Sequence, residues 1–362
     1  MRILHVVTNA DLGGAPRVVT ELANRALRDG HEVAAASVPT GPFWAHLDAG
    51  VVTFRLRQLR KAIDPLRDLA CLFELSALFR AWKPDIIHLH SSKAGVLGRM
   101  AAGKRVDRVV YTIHGFDTIL KTYRIFLSLE RLLAGRCAAI VPVSDYDRLN
   151  LEASGVRGRI VLIRNGSSDR RAALPLDEVA ASRIRAAKAS GAAVVLTIAR
   201  LARPKRFDLF VEAARGFTSS EARFFWIGNV EKVDALSLPA NVEVLGELAE
   251  AGDYIGLCDV FVLLSDYEGL PMSIIEALSA GKPIVASKVG GIGEMVDPHI
   301  GRLVENEAGA VIAALRSLLA NREDLEARGR AARIRYESGF SAEIMWKRYR
   351  DLYRSIHEGK EN

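Results

Sequence analysis

Short apolar runs alternate with amphipathic segments along most of this chain. A strand is predicted at "RILHVV", a helix from about Val18 to Asp29, and a second strand at "GHEVAAAS". The same order returns in "PDIIHLHS", "RVVYTIHG" and "AAIVPVSD", and again in "AAVVLTIARL", "ARFFWIGN" and "DVFVLLSD". Strands that alternate with helices form parallel sheets, whose ligands bind beyond the carboxyl ends of the strands. The pattern predicts an α/β fold of two doubly wound, Rossmann-like domains that face each other across a cleft.

The two series of strands are separated by "RRAALPLDEVAASRIRAAKASG", which has few large apolar residues. A final amphipathic helix carries aromatic residues at helical spacing and is expected to pack back on the first domain. The expected boundaries are 1–168 for the first domain, 169–190 for a partly helical linker, 191–340 for the second domain and 341–362 for the final helix.

The composition fits a globular protein of two domains, because 49% of the 362 residues are hydrophobic and 26% are charged. No apolar run approaches the roughly 18 residues that cross a bilayer. The polar residues that follow "RILHVV" argue against a signal peptide. Cys71, Cys137 and Cys258 form no paired spacing, so we expect buried thiols and a cytoplasmic protein.

Positive charge is concentrated in the first half of the chain. Residues 1–164 contain 24 Lys and Arg against 15 Asp and Glu, a net charge of +9, whereas the remainder contains 26 against 28. This asymmetry suggests an anionic partner, although a well-solvated surface also produces it. Nucleic acid is disfavoured, since no basic-aromatic stacking pattern or zinc spacing accompanies the charge. The segment "FRLRQLRKAIDPLRDLACLFELSALFRAW" combines arginines with an apolar helix, which would suit peripheral contact with the anionic inner face of the plasma membrane.

The segment "SDYEGLPMSIIEALSAGKP" places Glu268 and Glu276 eight residues apart across a helix start. Pro271 suits the first helical position and Gly281 a left-handed stop, which predicts a helix from Pro271 to Ala280. The free N–H groups of a helix start favour a phosphate. Glu268 therefore either caps the helix or accepts a hydrogen bond from a ligand hydroxyl beside that phosphate. Glu276 is not expected to be a core residue.

Two further loops follow strand ends. In "LTIARLARPKRFD", Arg200 and Lys205 lie at the edge where ligands bind and suit a diphosphate, although exposed charges are also common there. In "GGAPR", Gly13 and Gly14 either let backbone amides approach an anion or form a simple tight turn. The loop lacks the full GxGxxG pattern and no acidic residue ends the second strand, which argues against NAD.

Histidines cluster near two strand ends. His88 and His90 share one face of a strand, and His114 ends another strand, where it can contact a ligand. Structural histidines with satisfied hydrogen bonds are the alternative. A zinc site would need another ligand, and no HExxH or cysteine spacing supplies it, so no metal is expected. Ser144 with Asp147 is the pattern of a helix cap.

Taken in order, these pieces resemble a retaining glycosyltransferase of family 4, which has the GT-B architecture. The resemblance covers nearly the whole chain, through "GGAPR", "PDIIHLHSSKAGVLGRMAA", "YTIHGFD", "VPVSD", "IRNGSSD", "TIARLARPKRFD" and "DYEGLPMSIIEALSAGKPIVASKVGGIGE". The portion from "HSSKAG" to "YTIHGF" is most similar to enzymes that build bacterial capsule, exopolysaccharide or O-antigen units on a polyprenyl diphosphate carrier. The resemblance implies that a nucleotide diphosphate sugar, by the family's habit a UDP-sugar, is the donor. It further implies a glycan or polyprenyl-linked acceptor, retention of configuration, and no cofactor or metal.

The resemblance also implies roles for individual residues. Arg200 and Lys205 would hold the diphosphate and stabilise it as it leaves. Glu276 would bind the nucleotide ribose and Glu268 the hydroxyls of the transferred sugar, while His114 would contact the sugar near the reacting carbon. Further donor contacts are implied for Gly13, Gly14, Gly228, Gly269, Leu270, Pro271 and Met272.

The chain departs from the family pattern in three places. Arg206 follows the lysine where many relatives have glycine, and Gly293 stands where proline is common. The usual Gly-Asp-Gly-Pro loop is reduced to "GNVEKVD", with Gly228 and Asn229 only, which leaves the contacts to the nucleotide base open. Asn165, followed by glycine, matches the family's interdomain turn.

Other functions remain open on these residues. A sugar-nucleotide epimerase or hydrolase would share the fold, and a catalytically silent subunit would bind nucleotide sugar without transfer. The complete set of charged residues argues against the silent subunit. A glycoside hydrolase that uses Glu268 and Glu276 as acid and nucleophile is less favoured, because nothing indicates subsites for the sugar beyond the cleaved bond.

Overall fold

The computed structural model describes residues 1–116, 125–229 and 238–359. They form two compact units. The N-terminal unit comprises Met1–Gly166 together with Ala342–Asn362, and the C-terminal unit comprises Ser167–Ser341. The segment 169–190, expected to be a linker, is thus part of the C-terminal unit, and the final helix is part of the N-terminal unit.

The N-terminal unit is built on one parallel sheet of six strands in the order β3-β2-β1-β4-β5-β6. The strands are β1 (Arg2–Val7), β2 (Glu32–Ser37), β3 (Val52–Arg55), β4 (Ile86–His90), β5 (Val109–Ile113) and β6 (Ala139–Pro142). The α-helices are α1 (Gly14–Arg28), α2 (Pro65–Trp82), α3 (Ser92–Ala101), α4 (Ile125–Leu133), α5 (Asp145–Ala153) and, at the end of the chain, α11 (Ala342–Glu358). Short 3-10 helices lie at Pro42–His46 and Gly103–Arg108. Strands β4 and β5 are buried along their whole length, as expected for central strands of a parallel sheet.

The C-terminal unit contains a second parallel sheet of six strands, in the order β12-β11-β10-β7-β8-β9. The strands are β7 (Ala193–Ile198), β8 (Ala222–Ile227), β9 (Val242–Gly246), β10 (Val260–Leu263), β11 (Ile284–Ser287) and β12 (Gly301–Val304). The α-helices are α6 (Glu178–Ala189), α7 (Phe207–Ala214), α8 (Met272–Ser279), α9 (Ala308–Leu319) and α10 (Arg322–Gly339), with 3-10 helices at Ala251–Leu257 and Gly290–Glu294.

The two sheets have the same topology. Within each unit the first strand lies between the second and the fourth, which is the strand order of the doubly wound fold. The predicted α/β fold with two Rossmann-like sheets is therefore confirmed. In such sheets the ligand site lies beyond the carboxyl ends of the strands where the order reverses, here β1 and β4 in one unit and β7 and β10 in the other.

Two helices begin at other residues than predicted. α1 begins at Gly14 rather than at Val18. α8 begins at Met272, and Pro271 is its N-cap in an extended conformation, so the prediction of Pro271 as first helical residue is wrong by one position. The end of α8 is confirmed: Gly281 has a φ of 66°, the left-handed region that favours glycine.

Helix α11 packs on the N-terminal sheet through buried tyrosines. The hydroxyl groups of Tyr349 and Tyr353 hydrogen bond with Thr112 at 2.9 Å and with His88 at 2.5 Å. The predicted cap of α5 is confirmed, since the Ser144 side chain accepts a hydrogen bond from the Asp147 N–H.

The structure tests the expectations for membrane-spanning segments and for the cysteines. Among the helices that the structure describes, none is both long and apolar enough to cross a membrane. Cys71 and Cys258 are buried free thiols as expected, whereas Cys137 is only half-buried.

Candidate functional site

The start of α8 lies beyond the carboxyl end of β10 and has no side-chain cap. The backbone N–H groups of Met272 and Ser273 make no hydrogen bond with the residues that the structure describes. The N–H groups of the first helical turn have no partner within a helix, and they carry a partial positive charge. This helix start can therefore bind an anion. Glu268 makes no hydrogen bond to it, so the interpretation of Glu268 as a helix cap is wrong.

The Glu268 carboxylate is held through one of its two oxygens. Its Oε1 accepts a hydrogen bond from Ser265 Oγ at 2.6 Å and forms an ion pair with the Lys205 ammonium group. Its Oε2 makes no hydrogen bond among the described residues. Lys205 has three N–H donors, so two remain after this contact. The pair can thus bind a ligand hydroxyl and an anionic group side by side.

Backbone contacts fix Lys205 opposite Ser265. An isolated antiparallel bridge joins these two residues, and the Arg206 N–H donates to the Leu264 carbonyl at 3.0 Å. The loop after β7 is thereby joined to the loop after β10, and the two strands are neighbours in the sheet. This pairing brings together the arginine–lysine loop and the glutamate segment, both of which the resemblance assigned to donor binding.

Arg206 has acidic neighbours of its own. It binds Asp208 at 2.7 Å and Asp266 at 3.3 Å. The hydrogen bonds from Arg206 lower the pKa of Asp208 below its ordinary value. Because both neighbours offset its charge, this departure from the family pattern adds little net positive charge to the site.

Arg200 follows β7 and is exposed, and it makes no ion pair with the part of the chain that the structure describes. Residues that directly follow β8 hold its loop in place. A Cβ atom on Gly228 would lie 1.9 Å from the Ala199 carbonyl oxygen, and Asn229 Oδ1 accepts a hydrogen bond from the Leu201 N–H at 2.8 Å. The two residues that remain of the shortened loop therefore support the Arg200 loop. Residues 230–234 of "GNVEKVD" lie outside the described residues.

The glycines of "GGIGE" support the backbone of Glu268. A Cβ atom on Gly290 would lie 1.7 Å from the Glu268 carbonyl oxygen, and Gly290 has a φ of 54°. The Gly291 N–H donates to the Gly269 carbonyl at 3.1 Å. Glycine is thus required at position 290, which the sequence analysis did not single out.

Ser265, which holds Glu268, belongs to a buried polar network. Its N–H donates to Ser287 Oγ at 2.9 Å, Ser287 donates to Asn306 Oδ1 at 2.5 Å, and Asn306 Nδ2 returns to the Ser265 carbonyl at 2.9 Å. A fully satisfied buried network is rigid. The three residues come from the ends of successive strands far apart in sequence, so only the fold brings them together.

Glu276 is a buried residue of α8, with 3% of its surface exposed, contrary to the expectation from its helical position. Its carboxylate packs against Gly252, where a Cβ atom would lie 3.0 Å from Glu276 Cδ. Arg170 binds Glu250 and Asp253, each at 2.8 Å. Burial alone would lower the pKa of Arg170, but the negative charges of Glu276, Glu250 and Asp253 raise it.

The sequence analysis missed this group of charged residues near Glu276. Arg170 lies in the segment assigned to a linker. Glu250 is the N-cap of the 3-10 helix Ala251–Leu257 and Asp253 lies within it, and this helix carries no recognisable motif. Arg170 balances part of the negative charge around Glu276, and the rest of that charge favours neutral hydroxyl groups here over a phosphate.

In the N-terminal unit, Gly13 is the N-cap of α1 and Gly14 is its first residue. The Gly13 N–H donates to Asp11 Oδ1 at 3.0 Å, so this amide is engaged within the turn. No side chain caps α1, and first-turn N–H groups remain available for an anion.

His114 directly follows β5 and is half-buried. Its Nε2 lies 3.1 Å from His90 Nδ1, and His90 Nε2 lies 3.2 Å from His5 Nδ1. Burial lowers the pKa of His5 to about 3 and that of His114 to about 4, and it also holds the pKa of His90 well below its ordinary value. These rings are therefore neutral at physiological pH.

His88 has different partners, Tyr353 at 2.5 Å and Thr112 at 2.7 Å. One nitrogen from each of His5, His88 and His90 lies within 4.8 Å of the others. The sequence analysis missed His5, because only the register of β1 against β4 places it beside His88. Both nitrogens of His88 are engaged, so a metal ion here would have to displace these hydrogen bonds.

Two Rossmann-like units, one of which ends in a cluster of charged loops, form the architecture that the resemblance to GT-B glycosyltransferases implies. The model of Glycosyltransferase Family 4 matches residues 12–171, and the model of Glycosyl transferases group 1 matches residues 180–335. The chain belongs to family 4 of the glycosyltransferases, as the resemblance predicted.

Relatives of this chain act in bacterial polysaccharide synthesis. It is 26% identical to an Escherichia coli UDP-Gal:alpha-D-GlcNAc-diphosphoundecaprenol alpha-1,3-galactosyltransferase, over 98% of this chain and 96% of that protein. It is 25% identical to the Staphylococcus aureus capsular polysaccharide biosynthesis glycosyltransferase CapM, over 83% of this chain and 86% of that protein. The fold is similar to that of Anabaena HepE solved with UDP and glucose, with a TM-score of 0.82, 20% identity, and coverage of 98% and 100% of the two chains.

Proposed function

We propose that this chain transfers a sugar from a UDP-sugar to a hydroxyl group of a polyprenyl-diphosphate-linked glycan, with retention of configuration. The observation that carries the proposal is the arrangement at Glu268. A carboxylate with one free oxygen lies beside a lysine with unused N–H donors and close in sequence to an uncapped helix start. The choice of a UDP-sugar and a lipid-linked acceptor follows the substrates named for the Escherichia coli relative above.

In this proposal the donor is divided among the charged groups of the C-terminal unit. Lys205, Arg200 and the N–H groups at Met272 bind the diphosphate, because cations and a helix start offset its negative charge. Glu268 accepts hydrogen bonds from hydroxyls of the transferred sugar. Glu276, already buried against Gly252, accepts them from the ribose.

The configuration is retained because the acceptor oxygen attacks the anomeric carbon on the face that the diphosphate leaves. The bond between the anomeric carbon and the diphosphate breaks, and the acceptor oxygen forms its bond to that carbon on the same face. A phosphate oxygen of the departing diphosphate takes the acceptor proton. The protein's part is to stabilise the charge that develops on the diphosphate. This route needs no protein nucleophile, so Glu268 is assigned to hydroxyl binding alone.

We further propose that the transfer needs no metal ion, because Lys205, Arg200 and the start of α8 supply the positive charge. A chelator added to the assay should leave the rate within about twofold of the untreated enzyme, whereas removal of a required metal costs several kcal/mol of transition-state stabilisation. Loss of activity that returns with added Mg²⁺ or Mn²⁺ would contradict this part.

The decisive experiment is a panel of UDP-, GDP- and dTDP-sugars, each incubated with and without polyprenyl-diphosphate-linked GlcNAc. The expected result is transfer from a UDP-sugar only when acceptor is present, with the anomeric configuration of the donor kept in the product, as read by NMR. Nucleotide release or sugar isomerisation without acceptor would assign a hydrolase or epimerase. Nucleotide-sugar binding without any turnover would assign a silent subunit.

An exposed apolar stripe on α2 supports the membrane part of the proposal. Leu66 and Phe73 have 82% and 63% of their surface exposed, and Leu69 lies between them on the same helix face. Basic residues precede the stripe in the sequence: Arg60 and Lys61 are exposed, and α2 begins four residues after Lys61. Apolar side chains bordered by lysine and arginine are typical of helices that lie on anionic lipid. We propose that this stripe holds the enzyme near its lipid-linked acceptor.

The stripe is tested by sedimentation with vesicles of phosphatidylglycerol or of phosphatidylcholine alone. Wild type should bind the anionic vesicles, and a double variant Leu66→Ser and Phe73→Ser should lose most of that binding. The matched control is Leu174→Ser with Leu176→Ser, two leucines equally exposed on the C-terminal unit. Equal binding to both lipids, or an equal loss of binding in the control, would contradict the proposed membrane contact.

A further inference from the structure

A chain of three imidazoles runs through the N-terminal sheet and ends at His114. His5 Nδ1 and His90 Nε2 are 3.2 Å apart, and His90 Nδ1 and His114 Nε2 are 3.1 Å apart. His5 and His90 have no exposed surface, whereas His114 is half-buried at the carboxyl end of β5. Each neutral ring carries one N–H and one bare nitrogen.

Only two proton arrangements keep both hydrogen bonds. If His5 carries its proton on Nδ1, then His90 must carry its own on Nδ1, and His114 also on Nδ1. If His5 carries its proton on Nε2, the order reverses, and His114 is left with a bare Nδ1. The tautomer of His114 is therefore set at the far end of the chain, by His5.

The surroundings of the two end atoms favour the first arrangement. His5 Nε2 and His114 Nδ1 both lack a hydrogen-bond partner among the described residues. His5 is enclosed in the core, where an unsatisfied N–H donor is costly and rarer than an unsatisfied acceptor. His114 Nδ1 is buried as well, but His114 as a whole is half-buried and borders the carboxyl edge of the sheet, where ligands bind in doubly wound folds. The N–H is thus better placed on His114 than on His5.

We propose that His5 and His90 are positioning residues that hold His114 as the Nδ1–H tautomer, so that His114 donates a hydrogen bond to an oxygen of the bound sugar. In this form His114 has no lone pair on Nδ1 and does not act there as a base. The tautomer follows from the N-terminal unit alone. The identity of the receiving atom as a sugar oxygen rests on the proposed function.

His88 provides a matched control. It lies on the same strand as His90, is equally buried, and contacts His90 with ring centroids 3.8 Å apart. Its nitrogens bind Tyr353 and Thr112, so it is not part of the chain. A change at His88 disturbs the same part of the core but leaves both links of the chain in place.

The direct test is long-range proton–nitrogen correlation NMR on the full chain with isotope-labelled histidine, at about pH 7.5, where all three rings are neutral. His114 should show its proton on Nδ1 in wild type and in His88→Phe. In His90→Phe it should shift toward the Nε2–H form, which is intrinsically the more stable form of a free imidazole. A proton on His114 Nε2 in wild type would overturn the inference, whatever the enzyme's activity.

The kinetic test is a double-mutant cycle on kcat/KM. His90→Phe and His114→Ala should each lower kcat/KM about tenfold, the scale of one lost hydrogen bond. The double variant should lose little more than either single variant, whereas His88→Phe with His114→Ala should lose the product of the two separate effects. Independent effects of His90 and His114 would contradict the positioning role. No transfer by wild type with any donor would overturn the proposed function, and the NMR result would still decide the tautomer.

Discussion

The two units of this chain share one strand order, yet the carboxyl ends of their sheets differ in chemistry. In the C-terminal unit, Lys205, Glu268 and Arg200 lie at the ends of β7 and β10, as part of a cluster of charged side chains. In the N-terminal unit, the corresponding ends of the central strands carry neutral imidazoles and hydroxyls, with His90 and His114 among them. The same fold thus supports two kinds of site, and the side chains at the strand ends decide which. Our account assigns the diphosphate to the charged edge of the C-terminal unit and not to the imidazole edge of the N-terminal unit.

The largest expected effect is at Lys205. Lys205→Ala should lower kcat/KM by about 10²-fold or more, because it removes charge that stabilises the departing diphosphate. Lys188→Ala is the control. Lys188 binds Asp259 at 2.8 Å, and Asp259 directly precedes the amino end of β10. The control should stay within about twofold. Steady-state kinetics with the donor identified by the panel measures both, and similar losses would contradict the assignment of charge to one edge.

Gly290→Ala should destabilise the C-terminal unit by about 2–3 kcal/mol, because the new Cβ meets the Glu268 carbonyl at a positive φ. Urea unfolding followed by tryptophan fluorescence measures the loss. Gly309→Ala is the control: Gly309 is exposed in α9 and has no atom within 4 Å of its ideal Cβ. It should be neutral or slightly stabilising.

Arg170→Met should destabilise the C-terminal unit by about 2 kcal/mol, since it leaves the carboxylates around Glu276 without their partly buried counter-charge. The KM for the donor should also rise. The neighbouring exposed residue gives the control Arg171→Met, which should change stability by less than about 0.5 kcal/mol. Equal effects of the two variants would show that the Arg170 cluster does not support Glu276.

A further effect separates the two units by pH. The buried histidines of the N-terminal unit have pKa values below the unfolded value, so the folded state binds fewer protons than the unfolded state in acid. The stability that they contribute is present above about pH 6.5 and falls as the pH drops toward their folded pKa values. The lowered pKa of Asp208, bound by Arg206, matters only at more acidic pH.

Hydrogen exchange at about pH 5 and pH 7, corrected for intrinsic rates, measures this difference. Amides of β4 and β5 should lose protection at the lower pH, while amides of β10 and β11 keep theirs. Parallel loss in both units would contradict the assignment of acid sensitivity to the histidines.

The sequence predicted the fold well, because the alternation of strands and helices determines a doubly wound sheet. It also placed Arg200, Lys205 and Glu268 after strand ends, at the edge of the sheet where ligands bind. It did not predict the direct contact of Lys205 with Glu268, which depends on the backbone bridge between the two loops.

The other misses have physical causes of the same kind. His5 has no motif around it, and its role appears only when β1 pairs with β4. Arg170 lies in a polar segment that looked like a linker and becomes partly buried only when that segment packs on α8, where its N–H donates to Ser279 Oγ at 3.2 Å. Contacts made by tertiary structure alone leave no local pattern in the chain.

The central claim is that the diphosphate binds to the charged edge of the C-terminal unit and not to the imidazole edge of the N-terminal unit. Isothermal titration of UDP into wild type, Lys205→Ala and His114→Ala, without acceptor, tests it most directly. Lys205→Ala should weaken UDP binding by about tenfold or more, the loss expected for a hydrogen bond to a charged group. His114→Ala should bind UDP within about twofold of wild type, because a hydrogen bond to the sugar is absent from UDP. Unchanged affinity in Lys205→Ala, or an equal loss in His114→Ala, would contradict the account.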